Sequence, residues 1–295
     1  MSVDVEGLVA ALEGRAYLAD RSLALALHLA LHLGRPLLLE GEAGVGKTEA
    51  AKAVAAVLGA ELIRLQCYEG IDRAQALYAW DHPRQLVHLR VLEASGGALA
   101  EDALYDERFL LERPLLRAIR AGRRAVLLVD EIDRADEEFE AFLLEVLSDF
   151  QVSVPELGTV RAPEPPVVVL TSNRTRELSD ALKRRCLYHW IELPSPEQEL
   201  RILRLRAPEV PQATAALVTE VVARLRGLDL FKPPGPAETI DWARVLVALG
   251  DSVDVTTTTG REHALGLLAE ALGVAVKDHE DLGLVRSELG PLLGG

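Results

Sequence analysis

Five short apolar runs mark the first part of the chain: Pro36–Glu40, Glu61–Gln66, Ala125–Asp130, Pro166–Thr171 and Leu187–Leu193. Each has the length of a strand, and the third and fourth are nearly unbroken Val/Leu sequences, as strands buried on both faces are. Helical patterns separate most of them, for example the Ala-rich Thr48–Leu58, closed by Gly59. Alternating strands and helices predict an α/β fold with a parallel sheet covered by helices. Leu23–Leu33 sets two signals against each other. Its leucines fall on every second position, a strand period, but the residues between them are mostly alanine and no position is β-branched. Alanine and leucine are strong helix formers, so the stretch is expected to be a largely buried helix.

Gln151–Ala162, with Pro155 and Gly158 between valine-bearing arms, reads as a hairpin inserted ahead of the fourth strand. Glu93–Asp106, acidic and rich in Gly and Ala, reads as a surface insertion. After Pro194-Ser195-Pro196 the strand pattern stops. Glu197–Arg206, Gln212–Arg226, Ala237–Leu249 and Glu262–Val276 carry helical patterns, with Pro233-Pro234-Gly235-Pro236 as a rigid break and Thr256–Thr259 as a helix lead-in. The expected division is an α/β nucleotide-binding domain over 1–194 and a helical lid over 195–295.

Composition narrows the chemistry. A chain of 295 residues, 49% hydrophobic, can bury two cores. A formal net charge of −14 argues against a constitutive nucleic-acid binder and favours protein partners. Cys67 and Cys186 cannot build a disulfide framework and are expected to be buried thiols. Met1–Glu6 lacks the basic start of a signal peptide, and Leu23–Leu33 is shorter than the roughly 20 residues that cross a bilayer. A cytoplasmic protein without a membrane span is expected.

The strongest chemical signal is Gly41-Glu42-Ala43-Gly44-Val45-Gly46-Lys47-Thr48, which fits G-x-x-x-x-G-K-[ST] without deviation between a strand and a helix. Glycines let the backbone curl so that successive N–H groups point inward and form an anion nest at a helix N-terminus. Lys47 can then reach the β- and γ-phosphates of a nucleotide, and Thr48 can offer its hydroxyl to Mg²⁺. Val126-Leu127-Leu128-Val129-Asp130-Glu131 supplies the second part: Asp130 is placed to hold the hydration shell of Mg²⁺, and Glu131 to orient or deprotonate an attacking water. Asp133 is expected to cap a helix or lie on the surface. Asn173, ending Val167–Asn173, either helps fix the water or is a simple turn asparagine.

These segments, in this order, resemble the AAA+ ATPases, and more narrowly the MoxR family and its CoxD-like branch. The restrictive strings are Gln66-Cys67-Tyr68-Glu69-Gly70 and Ala237-Glu238-Thr239-Ile240-Asp241-Trp242-Ala243-Arg244, supported by Phe109–Leu115 and Phe142–Leu147. The resemblance implies a sheet of order 5-1-4-3-2, a helical lid, and a homo-oligomeric ring, a hexamer, with ATP between neighbours. It also implies a partner with a von Willebrand factor A domain and a protein client, remodelled or matured as a metalloenzyme. Arg184 and Arg185 then stand where the family carries its arginine finger, a cation worth about 10³–10⁵ in rate; which of the two serves is left open, Arg185 being favoured because it lies nearer the fifth strand. One departure is visible. Many AAA+ lids place an arginine at the start of the third lid helix, where this chain has Pro236-Ala237-Glu238, and the nearest arginine is Arg244.

Other features have plainer expectations. His28 and His32 are spaced i, i+4 without a third ligand and read as structural. Asp133–Glu140 reads as mostly a solvated helix face, and Trp80 and Trp242 as packing residues. Alternatives to the ATPase motor are an ATP-dependent assembly switch or scaffold with little turnover, a DNA-directed AAA+ protein such as a helicase loader, and, more remotely, a small-molecule kinase.

Overall fold

A computed structural model describes residues 4–94, 104–249 and 256–293; residues 95–103 of the expected acidic insertion lie outside the described residues. The chain forms two compact units. The first takes residues up to Leu8, Arg21–Glu40 and Ala51–Trp190; the second takes Val9–Asp20, Gly41–Ala50 and the chain from Ile191 on.

The first unit is built on a five-stranded parallel sheet flanked by helices, with strands β1 (Leu37–Gly41), β2 (Glu61–Gln66), β5 (Ala125–Asp130), β8 (Val167–Ser172) and β9 (Leu187–Ile191) in the order β2-β5-β8-β1-β9. Counting these five alone from one to five, that is 5-1-4-3-2 read from the far edge. The three central strands are buried along almost their whole length, which is why their sequences are continuous apolar runs. Edge strand β2 instead alternates, burying Ile63 and Leu65. Register aligns the carboxyl ends: Gln66 pairs with Asp130, Val129 with Leu170, and Glu40 with Ser172.

α6 (Pro114–Ala121) packs on β2 and β5 with Leu115, Leu116, Ala118 and Ile119. α7 (Glu137–Asp149) buries Phe139, Leu143, Val146 and Leu147; Asp136 caps its start, its Oδ1 accepting the Phe139 N–H at 2.8 Å. The expected hairpin is present as β6 (Gln151–Val154) and β7 (Gly158–Arg161), antiparallel, with Val152 opposite Val160. α2 (Arg21–Leu33) is a helix, as residue type rather than period required. It is not largely buried, however: Leu23, Ala24, Leu27 and Ala30 face the core while Leu25, Leu29 and Leu33 are exposed. Helical geometry turns the alternating leucines onto both faces. His28 and His32 stack with ring centroids 6.2 Å apart. A second small sheet, β3 (Tyr78–Trp80) with β4 (Leu110–Glu112), and helices α4 (Arg73–Ala76) and α5 (His82–Ala94) also lie in this unit and have no counterpart among the expected elements.

The second unit includes α9 (Pro196–Arg206), α10 (Gln212–Arg226), α11 (Pro236–Leu249), α12 (Thr258–Glu270) and α13 (His279–Leu293). Leu203, Val218, Val222, Leu225, Trp242, Leu246 and Leu268 form its core, and Trp242 is fully buried. A capping box starts α9: Ser195 Oγ accepts the Gln198 N–H at 3.3 Å and Gln198 Oε1 accepts the Ser195 N–H at 3.0 Å. The expected last helix is shorter, ending at Glu270 with a 3₁₀ turn at Leu272–Val274, and α13 follows it. Inside the unit, Glu199 is 1% exposed and accepts two bonds from Arg226, at 2.5 and 2.8 Å, and one from Thr239. Arg226 also donates to the Pro234 carbonyl at 2.7 Å, tying the proline-rich break down.

Candidate phosphate-binding site

β1 delivers the chain into the loop Gly41–Thr48, and α3 (Lys47–Leu58) begins within it. Gly44 and Gly46 have φ of +79° and +98°, a region that costs other residues strain; these two glycines are therefore what allows the loop to curl. Lys47 is 7% exposed and donates to the carbonyls of Gly41 at 2.8 Å and Glu42 at 2.7 Å. A buried ammonium in a glycine-bearing loop at the start of a helix is an arrangement that suits an anion. The ring of Tyr17 lies beneath Gly46, 3.6 Å from where a β-carbon would stand. At its other end α3 closes on Gly59, at φ +62°, as expected of a helix-terminating glycine.

In the first unit the carboxyl ends of β5 and β8 carry the polar chemistry. Asp130 is 2% exposed. Its Oδ1 accepts the Thr171 hydroxyl at 2.5 Å, and its Oδ2 accepts Arg64 Nε at 2.9 Å, with Arg64 Nη2 at 2.6 Å. Thr171 Oγ1 in turn accepts the Glu131 N–H at 2.9 Å. That bond holds Glu131 in a left-handed conformation, φ +56° and ψ +51°, rare for a residue with a β-carbon and typical of functional sites. The Glu131 carboxylate meets Gln66 Nε2 at 3.1 Å and Arg134 Nε at 3.3 Å.

Asp133 corrects an expectation. It is neither a helix cap nor a surface acid but is 2% exposed, and its Oδ2 accepts the N–H groups of Asn173 at 3.2 Å and Thr175 at 2.9 Å and the Thr175 hydroxyl at 2.7 Å. It thereby shapes the turn after β8 that carries Asn173. Glu140 is also buried, paired with Arg176 and accepting the Ser179 N–H at 3.0 Å. Asp133–Glu140 is therefore not a solvated face throughout: two of its acids work inward, on the chain after β8.

Cys67 follows β2, and its N–H donates to the Asp130 carbonyl at 2.8 Å. Burial pushes the Cys67 thiol up to about 12, and the nearby charges of Asp130, Asp133 and Glu131 add to the effect. Cys186 is likewise buried and pushed up to about 12. Both are inert thiols rather than nucleophiles.

Arg184 and Arg185 end α8 (Asp180–Arg185), whose start is capped by Ser179. Both side chains are exposed, and among the described residues neither pairs with a carboxylate. The guanidinium of Arg35 donates to their carbonyls, at 2.9 Å for Arg184 and 3.4 Å for Arg185, fixing this helix end. Arg244 is paired with Glu209 at 2.8 Å and donates to the Arg206 carbonyl at 3.1 Å.

The residues present fit a magnesium nucleotide: a curled amide loop with a buried lysine for phosphates, and a buried carboxylate at a strand end for a hard cation. The loop, Asp130, Glu131 and Asn173 were candidates from sequence alone. Arg64, Thr171 and the inward role of Asp133 were not, because these residues meet Asp130, Glu131 and Asn173 only through strand register.

The family model of the AAA domain, dynein-related subfamily, matches residues 36–186, just over half of the chain. Among solved structures, the chain is similar to the Thermotoga maritima RuvB Holliday junction branch migration motor, at 18% identity and a TM-score of 0.52, over 99% of this chain and 80% of that one. A mutant of the same protein gives 18% identity and a TM-score of 0.55 over the same shares. At such identity the likeness is one of fold. No curated protein matches the sequence. The matched span opens one residue before β1 and closes one residue before β9, enclosing the loop and the polar ends of β5 and β8, and the chain belongs to the dynein-related subfamily of AAA domains.

Proposed function

We propose that this chain is an ATPase of the MoxR type that works as a homo-oligomeric ring, a hexamer, on a protein client. A partner carrying a von Willebrand factor A domain and a client matured as a metalloenzyme belong to the same reading. What carries it is an unbroken Gly41–Thr48 loop in the second unit together with, in the first, Asp130 and Glu131 locked to each other through Thr171.

In this reading Lys47, Thr48 and Asp130 hold MgATP, Asp130 largely through water. Bound Mg²⁺ supplies charge neutralisation on the phosphates. Glu131, whose backbone is fixed by Thr171, orients and deprotonates the attacking water, and Asn173, on the turn shaped by Asp133, helps position it. Arg185, with Arg184 beside it, serves a neighbouring subunit's site, which suits two exposed guanidinia that pair with no carboxylate among the described residues. The MoxR assignment rests on the Gln66–Gly70 and Ala237–Arg244 strings.

A second reading, an ATP-dependent assembly switch with little turnover, draws support from the Glu131 carboxylate being engaged by Gln66 and Arg134. A DNA-directed role, the work of the RuvB relatives in fold, is disfavoured by the net charge of −14. Phosphate release and ATP binding measured for wild type, Lys47→Ala and Glu131→Gln separate these. The motor reading expects Lys47→Ala to lose binding, and Glu131→Gln to bind ATP while hydrolysis falls at least about 100-fold. Wild-type turnover no faster than Glu131→Gln would leave the switch; salt-sensitive retention of duplex DNA on a filter would revive the DNA reading.

A further inference from the structure

In the second unit the start of α11 meets the phosphate loop, and it brings an acid there. The approach is close: backbone leaves no room for a β-carbon on Gly235, and one on Gly44 would have to push the Glu238 carboxylate aside. A β-carbon on Gly235 would stand 2.9 Å from the Ala43 carbonyl oxygen; one on Gly44 would stand 2.8 Å from Glu238 Oε2. Glu238 is half-buried, third in α11, and its Oε2 accepts the Gly235 N–H at 3.1 Å. That bond has an ordinary structural purpose, since a first-turn acid that reaches back to the residue before the helix caps it and suits the helix dipole. A glutamine would make the same bond. It would not supply the charge, and the charge stands against a loop built to receive anions. Among the described residues no ion pair joins Glu238 to a lysine or arginine, and the hydrogen bond it makes is to the Gly235 N–H. Arg244, the nearest arginine of α11 in sequence, is committed to Glu209.

We propose that Glu238 is an affinity-setting residue of the nucleotide site. Its carboxylate repels the phosphates held by the loop, more strongly as their number rises, and so weakens ATP retention where a lid arginine would strengthen it. This rests on the nucleotide-binding reading of Gly41–Thr48. Like charges a few ångströms apart in a partly desolvated site interact strongly enough for the effect to be measured. The consequence is a lid whose contact with the loop is opposed by substrate charge and eased as phosphate leaves.

The test is a titration of fluorescent ATP and ADP analogues, and of the matching adenosine analogue, with Mg²⁺ present, into wild type, Glu238→Gln, Glu238→Ala and Lys47→Ala. Glu238→Gln is expected to bind ATP about tenfold more tightly (about 1.4 kcal/mol), ADP by a smaller factor, and adenosine unchanged, with its melting temperature retained because the capping bond persists. Glu238→Ala is expected to share the tighter binding but melt lower. ATP affinity of Glu238→Gln within twofold of wild type would overturn the proposal, leaving Glu238 as a cap only; an equal gain for adenosine would overturn it too, because shape rather than charge would then be responsible. If wild type binds ATP no better than Lys47→Ala, the nucleotide reading itself fails, and this inference with it.

Discussion

Thr171 joins two acids through one hydroxyl, donating to Asp130 and accepting from the Glu131 backbone. Thr171→Val keeps the shape and strands both partners, so a loss of about 1–3 kcal/mol in urea unfolding is expected, with Thr171→Ser restoring most of it. Hydrolysis should fall further than ATP binding, because the left-handed Glu131 loses its tether. Equal stability of the valine and serine variants would refute the bridging role. The thiols give a pH prediction. An unfolded thiol ionises near the ordinary value of 9, while the folded ones are held up to about 12. Their stabilisation is present below pH 9 and lost as pH rises from there toward 12. At pH 10 each should cost about 1.4 kcal/mol. Melting at pH 8 and pH 10 should therefore fall less in Cys67→Ala than in wild type; parallel losses would speak against it. The loop, Asp130 and Glu131 were legible because contiguous motifs carry them. Thr171 and Asp133 were not, because their partners lie 40 or more residues away and meet them only when β5 and β8 pair.

Among elements, the buried strands were readable because burial on both faces leaves nothing but apolar residues in them. Three-residue strands leave no period to read, and β3 and β4 were accordingly invisible. α2 shows residue type overriding period: alternate leucines become a helix with an exposed apolar side. α13 was missed since Gly283 and Gly290 interrupt its pattern, yet Asp281, 4% exposed, accepts the N–H groups of Phe231 and Lys232 at 2.8 Å and anchors the chain before α11. Caps are testable at this scale. Asp136→Ala removes the cap of α7 and should cost about 1 kcal/mol, while Asp136→Asn should cost little; chemical denaturation of the pair decides it. The buried Glu199–Arg226 pair is a heavier case. Arg226→Ala leaves a carboxylate 1% exposed without its cation and should destabilise the second unit by about 3–5 kcal/mol. A loss below about 1 kcal/mol, read by helical circular dichroism in urea, would mean water replaces the arginine.

At the scale of the molecule, the α/β class followed from the alternation of strands and helices and the strand order from the family resemblance, while anything that depends on more than one copy was out of reach of both. Arg184 and Arg185 are exposed cations at a helix end, and their proposed partner is another subunit's nucleotide. The deciding measurement is ATP hydrolysis per subunit over a wide range of protein concentration, for wild type, Glu131→Gln, Arg185→Ala and an equimolar mixture of the two variants. A site shared between subunits requires specific activity to rise with concentration, to be lost in each variant, and to return in part on mixing, when an intact Arg185 meets an intact Glu131. Activity that is independent of concentration and indifferent to Arg185→Ala would mean that each subunit works alone, and would contradict the ring.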